Sequence, residues 1–287
     1  MLKEVLEYCV KNPAGVYLDA TVGAGGHTRG MLESAGPTAR VVALDQDVEA
    51  LVLAKKELED LEKQVMFIHG NFKNLDALLA EAGVHELDGA LLDLGVSSMQ
   101  LDSAQRGFSF REAGPLDMRM DPQAGLSAQE IVNRWSEQDI AQIIFEYGQE
   151  RWSRRIARSI VAARPITTTQ ALVGAILKAM PRGRNWQKIH PATRTFQALR
   201  IAVNQELEVL ENAIPKVIER LKPNGRIVII SYHSLEDRIV KRAFLAAART
   251  EKFSVLTRKP LRPTDREVQQ NPRSRSARLR AAEKRGS

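Results

Sequence analysis

Apolar and polar positions follow a repeating pattern over the first hundred residues. Four short apolar runs occur at 16–20, 40–45, 65–69 and 87–94, and a turn and a stretch with helical spacing follow each of the first three, the second of these stretches running from about 47 to 62. Near-continuous apolar character is typical of strands that are covered on both faces. The alternation of such runs with helical stretches predicts parallel βαβ units and an α/β fold.

The strand pattern stops near Ser97 and returns only at 226–231. The roughly 130 intervening residues are too many for one crossover connection, which predicts an inserted domain. Its first part, 105–125, is expected to be an ordered loop, and the rest to be helical, with Ser127 and Ser136 as N-caps. We therefore expect one domain at 1–102 and 197–287 and an inserted, mainly helical substrate-recognition domain at 103–196.

The pattern after the insertion predicts how the sheet ends. A long helix at 193–221 is expected to lead back to the sheet, and 222–225 (Lys-Pro-Asn-Gly) is a helix-stop and turn signal. A helix at 235–247 and short extended runs at 253–257 and 277–279 follow the fifth strand. The predicted sheet is mostly parallel with an antiparallel edge.

Composition narrows the class of protein. The chain is 44% hydrophobic and 27% charged, as in ordinary globular domains. Its single cysteine, Cys9, excludes an internal disulfide and zinc sites built on several thiolates. No His and acid spacing indicates a metal site, and no uncharged apolar run reaches about 18 residues. The sequence predicts a soluble, cytoplasmic protein without a metal.

The net charge of +7 conceals a strong segregation along the chain. Residues 1–150 hold 12 Lys and Arg against 25 Asp and Glu, whereas residues 151–200 hold 11 Lys and Arg and no acid. The tail, 258–287, carries 10 basic residues against 3 acidic ones. Such basic blocks favour a polyanionic partner, and the alternative is a solvated helix face with a disordered tail.

A glycine loop at 23–27 follows the first strand and opens a helix, where backbone N–H groups face a ligand. Neither the dinucleotide nor the phosphate-loop pattern is complete, because Thr28 stands where the first needs glycine and Met31 where the second needs lysine. A ligand with a carboxylate group is still compatible with this loop, and the methionyl end of S-adenosylmethionine has such a group. The alternative is a tight strand-to-helix turn.

Acidic residues end the second and fourth strands. Asp45 lies where an acid can accept hydrogen bonds from ribose hydroxyls, although Asp47 competes for this role and is more simply a helix cap. Phe72 follows the third strand and is a candidate adenine contact or an ordinary core residue. Asp93 ends the fourth strand, and carboxylates that end parallel strands converge on one crevice. This convergence favours the cofactor interpretation.

Other polar clusters are candidates for RNA contact. Arg106 lies in a run that interleaves arginine with phenylalanine, which suits an exposed base or packing of the insertion. Arg154, Arg155, Arg158 and Arg194 lie in the acid-free segment and are candidate phosphate contacts. His233 follows the fifth strand, where it faces the crevice or has a structural role.

Together these residues resemble the bacterial ribosomal small-subunit methyltransferase H family over nearly the whole chain. The resemblance rests on six motifs: DATVGAGGH at 19–27, LLDLGVSS at 91–98, RGFSF at 106–110, GPLDMRMD at 114–121, HPATRTFQ at 190–197 and SYHSLEDR at 231–238. It implies a Rossmann-like class I methyltransferase sheet with an inserted helical domain. It also implies methylation by S-adenosylmethionine of the N4 atom of one cytidine at the decoding centre of 16S rRNA.

The resemblance places the expected site residues by position. The cofactor contacts it implies are Gly25, Gly26, His27, Asp45, Phe72, Asp93 and Gln100. The group that accepts the N4 proton stays open, because Asp93-Leu94-Gly95-Val96 stands where many amino-group methyltransferases have Asn/Asp-Pro-Pro-Tyr/Phe. Asp93 is the first candidate, and Ser97, Asp117 and His233 are the others.

One departure and several alternatives remain. The family usually begins with a short stretch containing His and Pro-Val ahead of the segment that starts here at Met1. We therefore expect a truncated sequence or a late start codon. If that stretch closes the cofactor site, its absence is expected to reduce the affinity for the cofactor. The expected partner is 16S rRNA or the small ribosomal subunit, not a membrane, and a homodimer stays open. A nucleotide-dependent oxidoreductase and a non-enzymatic RNA-binding assembly factor are the competing functions.

Overall fold

The computed structural model describes residues 1–123, 125–181, 190–250 and 252–286. The strands are β1 (Val16–Asp19), β2 (Arg40–Asp45), β3 (Val65–His69), β4 (Leu87–Asp93), β5 (Leu221–Ser231), β6 (Phe253–Val255) and β7 (Arg278–Lys284). The helices are α1 (Leu2–Cys9), α2 (Gly26–Ala35), α3 (Val48–Glu57), α4 (Leu75–Glu81), α5 (Ser98–Asp102), α6 (Ala128–Arg134), α7 (Glu137–Glu146), α8 (Ser153–Ala162), α9 (Thr169–Ala179), α10 (Thr193–Asn204), α11 (Glu206–Arg220), α12 (Ser234–Ala248) and α13 (Asp265–Gln270).

The strands form one sheet in the order β3-β2-β1-β4-β5-β7-β6. β3, β2, β1, β4 and β5 are parallel neighbours, and β7 pairs antiparallel with β5 and with β6. The predicted α/β fold with a mostly parallel sheet and an antiparallel edge is therefore confirmed. The order reverses beside β1, and open α/β sheets bind ligands at such points.

The sheet has a hydrophobic core on each face, which explains the near-continuous apolar runs. Adjacent strand residues point to opposite faces, so Leu18 and Val42 belong to one core and Tyr17 and Val41 to the other. All four side chains are at most 3% exposed. Burial on both faces is what the sequence pattern of these strands predicted.

The chain divides into two compact units, 1–95 with 207–287, and 96–206. The first contains the sheet, and the second is built from α5–α10 around its own core, which includes Ile131, Ile144, Ile156 and Leu199. The domain boundaries expected from the sequence, 102/103 and 196/197, lie inside the second unit. The second unit is longer at both ends because Val96, Leu101 and the α10 residues through Val203 pack on its core.

The predicted single helix at 193–221 was wrong, because α10 and α11 are separate. Gln205 breaks the helix with left-handed backbone angles (φ 51°, ψ 34°). The side chain of Asn204 donates to the carbonyl of Met118 (2.8 Å) and accepts from the N–H of Met120 (2.8 Å). These bonds tie the end of α10 to the loop before α6, so the helix ends there.

Two other predicted elements have different bounds. The helix expected from Asp47 to Glu62 ends at Glu57, and a 3₁₀ helix covers Glu59–Gln64. The turn expected at 222–225 lies inside β5, where Asn224 has a positive φ of 66° and the pairing with β4 shifts register. The predicted N-caps are confirmed at Asp47, Ser127 and Ser136, whose side chains accept from backbone N–H groups of α3, α6 and α7.

Candidate functional site

Three acidic residues end neighbouring strands at one edge of the sheet. Asp45, Asp19 and Asp93 are the last residues of β2, β1 and β4, which lie side by side in that order. Because the strands are parallel, their carboxyl ends meet at the same edge. The structure thus brings together Asp45 and Asp93, as predicted, and adds Asp19 between them.

The glycine loop contacts Asp45 at its first glycine. The N–H of Gly23 donates to Oδ2 of Asp45 (2.9 Å), and the N–H of Asp47 donates to Oδ1 (2.9 Å). Burial raises the pKa of Asp45 despite these backbone hydrogen bonds. Each carboxylate oxygen can accept a further hydrogen bond, so Asp45 can still receive ribose hydroxyls.

Gly25 and Gly26 form the start of α2. Gly25 has φ +91°, a conformation that favours glycine, and an added Cβ would lie 3.1 Å from Cδ1 of Leu58. At Gly26 an added Cβ would meet no atom within 4 Å, so the backbone there is open to a ligand. The loop therefore offers N–H groups at a helix N-terminus, which suits a carboxylate.

His27 connects the same loop to Asp93. Its Nε2 lies 3.4 Å from Oδ2 of Asp93, and the hydroxyl of Tyr232 donates to Oδ1 of Asp93 (3.0 Å). Burial lowers the pKa of His27, but the hydrogen bond to Asp93 and the charges of Asp93 and Asp19 outweigh it and raise the pKa. Burial and the charge of Asp93 raise the pKa of Tyr232, so its hydroxyl stays protonated and donates.

Nδ1 of His27 is buried and has no hydrogen-bond partner within the part of the chain that the structure describes. Buried polar atoms are normally hydrogen-bonded, so such an atom calls for a partner. An orphaned ring nitrogen beside the glycine loop and two strand-end carboxylates fits a polar ligand such as the methionyl group of S-adenosylmethionine.

Asp19 lies among the candidate site residues, although it was not predicted as one from the sequence. It is 1% exposed and accepts hydrogen bonds from Oγ1 of Thr28 (2.8 Å) and the N–H of Thr21 (3.2 Å). Burial raises its pKa to about 6, although the charge of His27 and these hydrogen bonds act in the opposite direction. The available signal was its position, since it ends the first strand as Asp45 and Asp93 end theirs.

Two further predicted residues of the first unit have structural partners. Phe72 is half-buried at the start of a 3₁₀ turn and packs against one core of the sheet, so its contact with adenine stays a prediction. His233 is the N-cap of α12: its Nδ1 accepts from the N–H of Glu236 (3.4 Å), and its Nε2 lies 3.2 Å from Oε1 of Glu236. This geometry favours the structural alternative for His233, and its catalytic role stays a prediction.

Ser97, Gln100 and Asp117 lie in the second unit. Oγ of Ser97 accepts from the N–H of Gln100 (3.2 Å), and Oε1 of Gln100 accepts from the N–H of Ser97 (3.0 Å), which forms a capping box on α5. Asp117 binds the guanidinium of Arg119 at 2.9 and 2.7 Å. Burial raises the pKa of Asp117, but the hydrogen bonds and charge of Arg119 lower it overall, which makes it a weak proton acceptor.

The predicted RNA-binding arginines separate into two groups. Arg106 is 9% exposed and donates to the carbonyls of Arg119 (3.1 Å) and Met120 (2.8 Å). Such a buried guanidinium holds a loop together, so the structure does not support RNA contact at Arg106. Arg194 is half exposed and donates to the carbonyl of Gln149 (3.1 Å), while its Nη1 lies 3.6 Å from Glu150.

Helix α8 carries the other arginines on one face. Arg154, Arg155 and Arg158 are exposed, whereas Ile156 and Ile160 are buried. The guanidinium groups of Arg151 and Arg155 lie 5.1 and 5.2 Å from the ring of Trp152. The cations at 182, 184 and 188 of the same acid-free segment lie outside the described residues. Among the described residues, no helix is long and apolar enough to cross a membrane.

Comparison with known proteins identifies the family. The model of the MraW methylase family matches residues 1–285. The ribosomal RNA small subunit methyltransferase H of Geotalea uraniireducens is 48% identical to this chain, and the match covers 99% of this chain and 97% of the relative. The methyltransferase H of Synechococcus elongatus is 49% identical, and the match covers 98% of this chain and 92% of the relative. An rRNA methylase structure from Streptococcus thermophilus covers 99% of this chain at 15% identity with a TM-score of 0.46, a likeness too low to bear on its chemistry. The chain belongs to the MraW methylase family, whose methyl donor is S-adenosylmethionine.

Proposed function

We propose that this protein methylates small-subunit rRNA, and that the methyl group goes to the N4 amino group of one cytidine in the decoding centre. The methyltransferase H relatives support the first part by their names. The observation that carries the proposal is the glycine loop, which contacts Asp45 through Gly23 and lies beside Asp93 through His27. The specific cytidine and its N4 atom rest on the six motifs quoted above.

The residues of the first unit fit S-adenosylmethionine. When bound, S-adenosylmethionine supplies an electrophilic methyl group on a positively charged sulfur. Asp45 is assigned to the ribose hydroxyls, because its carboxylate is held by two backbone N–H groups and keeps free lone pairs. The N–H groups at the N-terminus of α2, starting with that of Gly26, are assigned to the methionyl carboxylate, because the N–H of Gly25 already donates to the carbonyl of Val22 (2.8 Å). Phe72 and Gln100 stay proposed contacts.

The chain must also activate the nucleophile. The lone pair of a cytosine amino group is delocalised into the ring, so a hydrogen-bond acceptor at the amino N–H favours attack of N4 on the methyl group. The same acceptor takes the proton that N4 loses when the methylated product forms. Asp93 is the first candidate, because Tyr232 fixes one of its oxygens and His27 lies beside the other. If Asp93 instead holds the methionyl ammonium, Ser97, Asp117 and His233 remain as acceptors.

The target base must reach this site. A stacked duplex hides the amino group, so the enzyme either extrudes the cytidine or acts where the RNA is irregular. The exposed arginines of α8, with Arg194, are assigned to the surrounding phosphates. Arg106 is left out of this set because its guanidinium is buried on carbonyl oxygens.

The test is mass spectrometry of small-subunit rRNA nucleosides from cells with and without the gene for this protein. The proposal predicts N4-methylcytidine, or a further methylated form of it, only when the protein is present. Identical nucleosides in both samples would contradict enzymatic methylation and favour a non-enzymatic assembly factor. A difference at another atom would leave rRNA methylation standing and remove the N4 assignment.

A further inference from the structure

A cavity lies in the first unit between α12 and the edge strand β6. It has a volume of about 540 Å³, within the range of small-ligand sites. Lys241, Phe244, Leu245 and Ala248 line it from α12, spaced so that they share one helix face. Phe253 and Val255 of β6 line it from the opposite side. We call this cavity the α12–β6 pocket.

The wall of the α12–β6 pocket is apolar and partly open to solvent. Leu245 is 49% exposed, one of the larger exposed apolar side chains in the part of the chain that the structure describes. Phe244 and Phe253 lie behind it and are 1% and 4% exposed. A flat apolar group placed against Leu245 would remove that surface from water, which is favourable.

Basic side chains surround this apolar wall. Lys241, Arg258, Arg280 and Arg285 line the α12–β6 pocket, and none of the described residues that line it is acidic. Arg280 is already bound to Asp237 at 2.6 Å, and Arg285 donates to Oγ of Ser254 (2.8 Å). Lys241 and Arg258 are exposed, and no ion pair is found for either within the described ranges.

We infer that the α12–β6 pocket binds a nucleotide of the RNA substrate, with the base against Leu245 and the phosphate at Lys241 and Arg258. The inference rests on the proposed function, which makes rRNA the polyanion that this protein meets. Guanidinium and ammonium groups beside an apolar wall match a nucleotide, which joins a flat base to a phosphate.

The α12–β6 pocket is separate from the strand-end acids. His233 caps α12 at the carboxyl edge of the sheet, and Lys241 to Ala248 lie about 10–20 Å further along that helix. β6 pairs with the end of β7 that lies beside Arg226, at the start of the regular β5 pairing and away from Asp93. The nucleotide it binds is therefore not the one that is methylated.

The experiment compares two double variants of the full-length protein in binding a small-subunit rRNA transcript. Lys241→Gln with Arg258→Gln alters the α12–β6 pocket. Arg242→Gln with Lys259→Gln is the matched control, because these exposed neighbours lie outside the pocket lining and remove the same charge. Affinity is measured by filter binding between about 50 and 200 mM salt.

The pocket variant is expected to reduce the slope of log affinity against log salt concentration by about 0.7 for each phosphate that it no longer neutralises. At about 0.1 M salt, its affinity for the transcript should fall roughly fivefold for each such phosphate. The control variant should change both quantities less. Equal effects of the two double variants would overturn the inference. A wild-type protein that does not bind the transcript would contradict the proposed function instead, so the two failures are distinguishable.

A second comparison tests the apolar wall. Leu245→Asp should weaken RNA binding, because it places a negative charge beside the phosphate and removes the surface for the base. Leu53→Asp is the control, because Leu53 is also exposed, at 41%, and lies on α3. Circular dichroism checks that both variants fold. Equal binding by the two variants would count against a nucleotide in the α12–β6 pocket.

Discussion

At the scale of single residues, the site depends on carboxylates that the fold buries. Asp19 is the most enclosed, and its partners Thr28 and Thr21 are hydroxyl and N–H donors, not cations. A buried carboxylate without a directly bound cation is costly to ionise, which is why its pKa is raised. The protein retains a group that reduces its stability near neutral pH, as functional sites often do.

The raised pKa of Asp19 predicts a pH-dependent stability. Its pKa is about 6 in the folded protein against 3.8 for the unperturbed group. Between these values the folded state binds more protons than the unfolded state, so the free energy of unfolding falls as pH rises. Asp19→Asn removes this term and keeps an acceptor for Thr28. The variant should therefore gain stability relative to wild type, on the order of 3 kcal/mol, from about pH 4 to pH 7.

The measurement is chemical denaturation of wild type and Asp19→Asn at several pH values. Glu59→Gln, an exposed change of the same kind, is the control. A difference between wild type and Asp19→Asn that stays constant over this pH range would show that Asp19 does not carry the proposed ionisation cost.

Asp93→Asn separates binding from chemistry. The variant keeps an oxygen that accepts from Tyr232 and removes the negative charge. If Asp93 accepts the N4 proton, kcat should fall by about 10² to 10⁴, the usual contribution of a general base. If Asp93 holds the methionyl ammonium, Kd for S-adenosylmethionine should rise as well. Calorimetry and single-turnover methyl transfer measure the two effects, and no change in either would remove Asp93 from the site.

At the scale of elements, a capping box on a short helix holds two candidate site residues in place. Helix α5 has only five residues, and the reciprocal bonds of Ser97 and Gln100 satisfy its first N–H groups. Ser97→Ala should lower the free energy of unfolding by about 1 kcal/mol, and Ser97→Asp should restore it because aspartate also caps. Thermal and chemical denaturation measure this. Loss of methyl transfer that Ser97→Asp does not restore would indicate a role for the hydroxyl itself.

Helix α8 presents a basic face opposite its buried one. Replacing Arg154, Arg155 and Arg158 by Glu should weaken binding of small-subunit rRNA and reduce its salt dependence, because fewer counterions are released. Arg134→Glu is a control on α6, with an exposed side chain paired to Glu130. Binding that does not respond to salt, in wild type or variant, would contradict phosphate contacts by this helix.

The elements show which parts of the fold can be predicted from sequence. The parallel strands were predicted because burial on both faces leaves a continuous apolar run, a local signal. The break between α10 and α11 was not predicted, because it depends on hydrogen bonds between the side chain of Asn204 and the backbone of Met118 and Met120, more than 80 positions earlier. Residues 222–225 likewise lie inside β5, at a register shift between Leu221 and Arg226, which both pair with β4.

At the scale of the whole molecule, the candidate site could be predicted where topology alone assembles it. Asp45 and Asp93 were predicted to meet because both end parallel strands, and the strand order places them on either side of β1. The burial of Arg106, a predicted RNA contact, could not be predicted, because it depends on the carbonyls of Arg119 and Met120. Local sequence shows that a guanidinium is present but not whether it is exposed.

The central claim is that the glycine loop and the strand-end carboxylates bind S-adenosylmethionine. Titration calorimetry of the full-length protein tests it most directly, with Asp45→Ala beside Glu62→Ala, an exposed acid away from the sheet edge. We expect wild type and Glu62→Ala to bind S-adenosylmethionine and not nicotinamide dinucleotides, and Asp45→Ala to bind at least about tenfold more weakly, a loss of about 1.4 kcal/mol. Equal affinity in Asp45→Ala and wild type, or binding of a nicotinamide dinucleotide instead, would contradict the account.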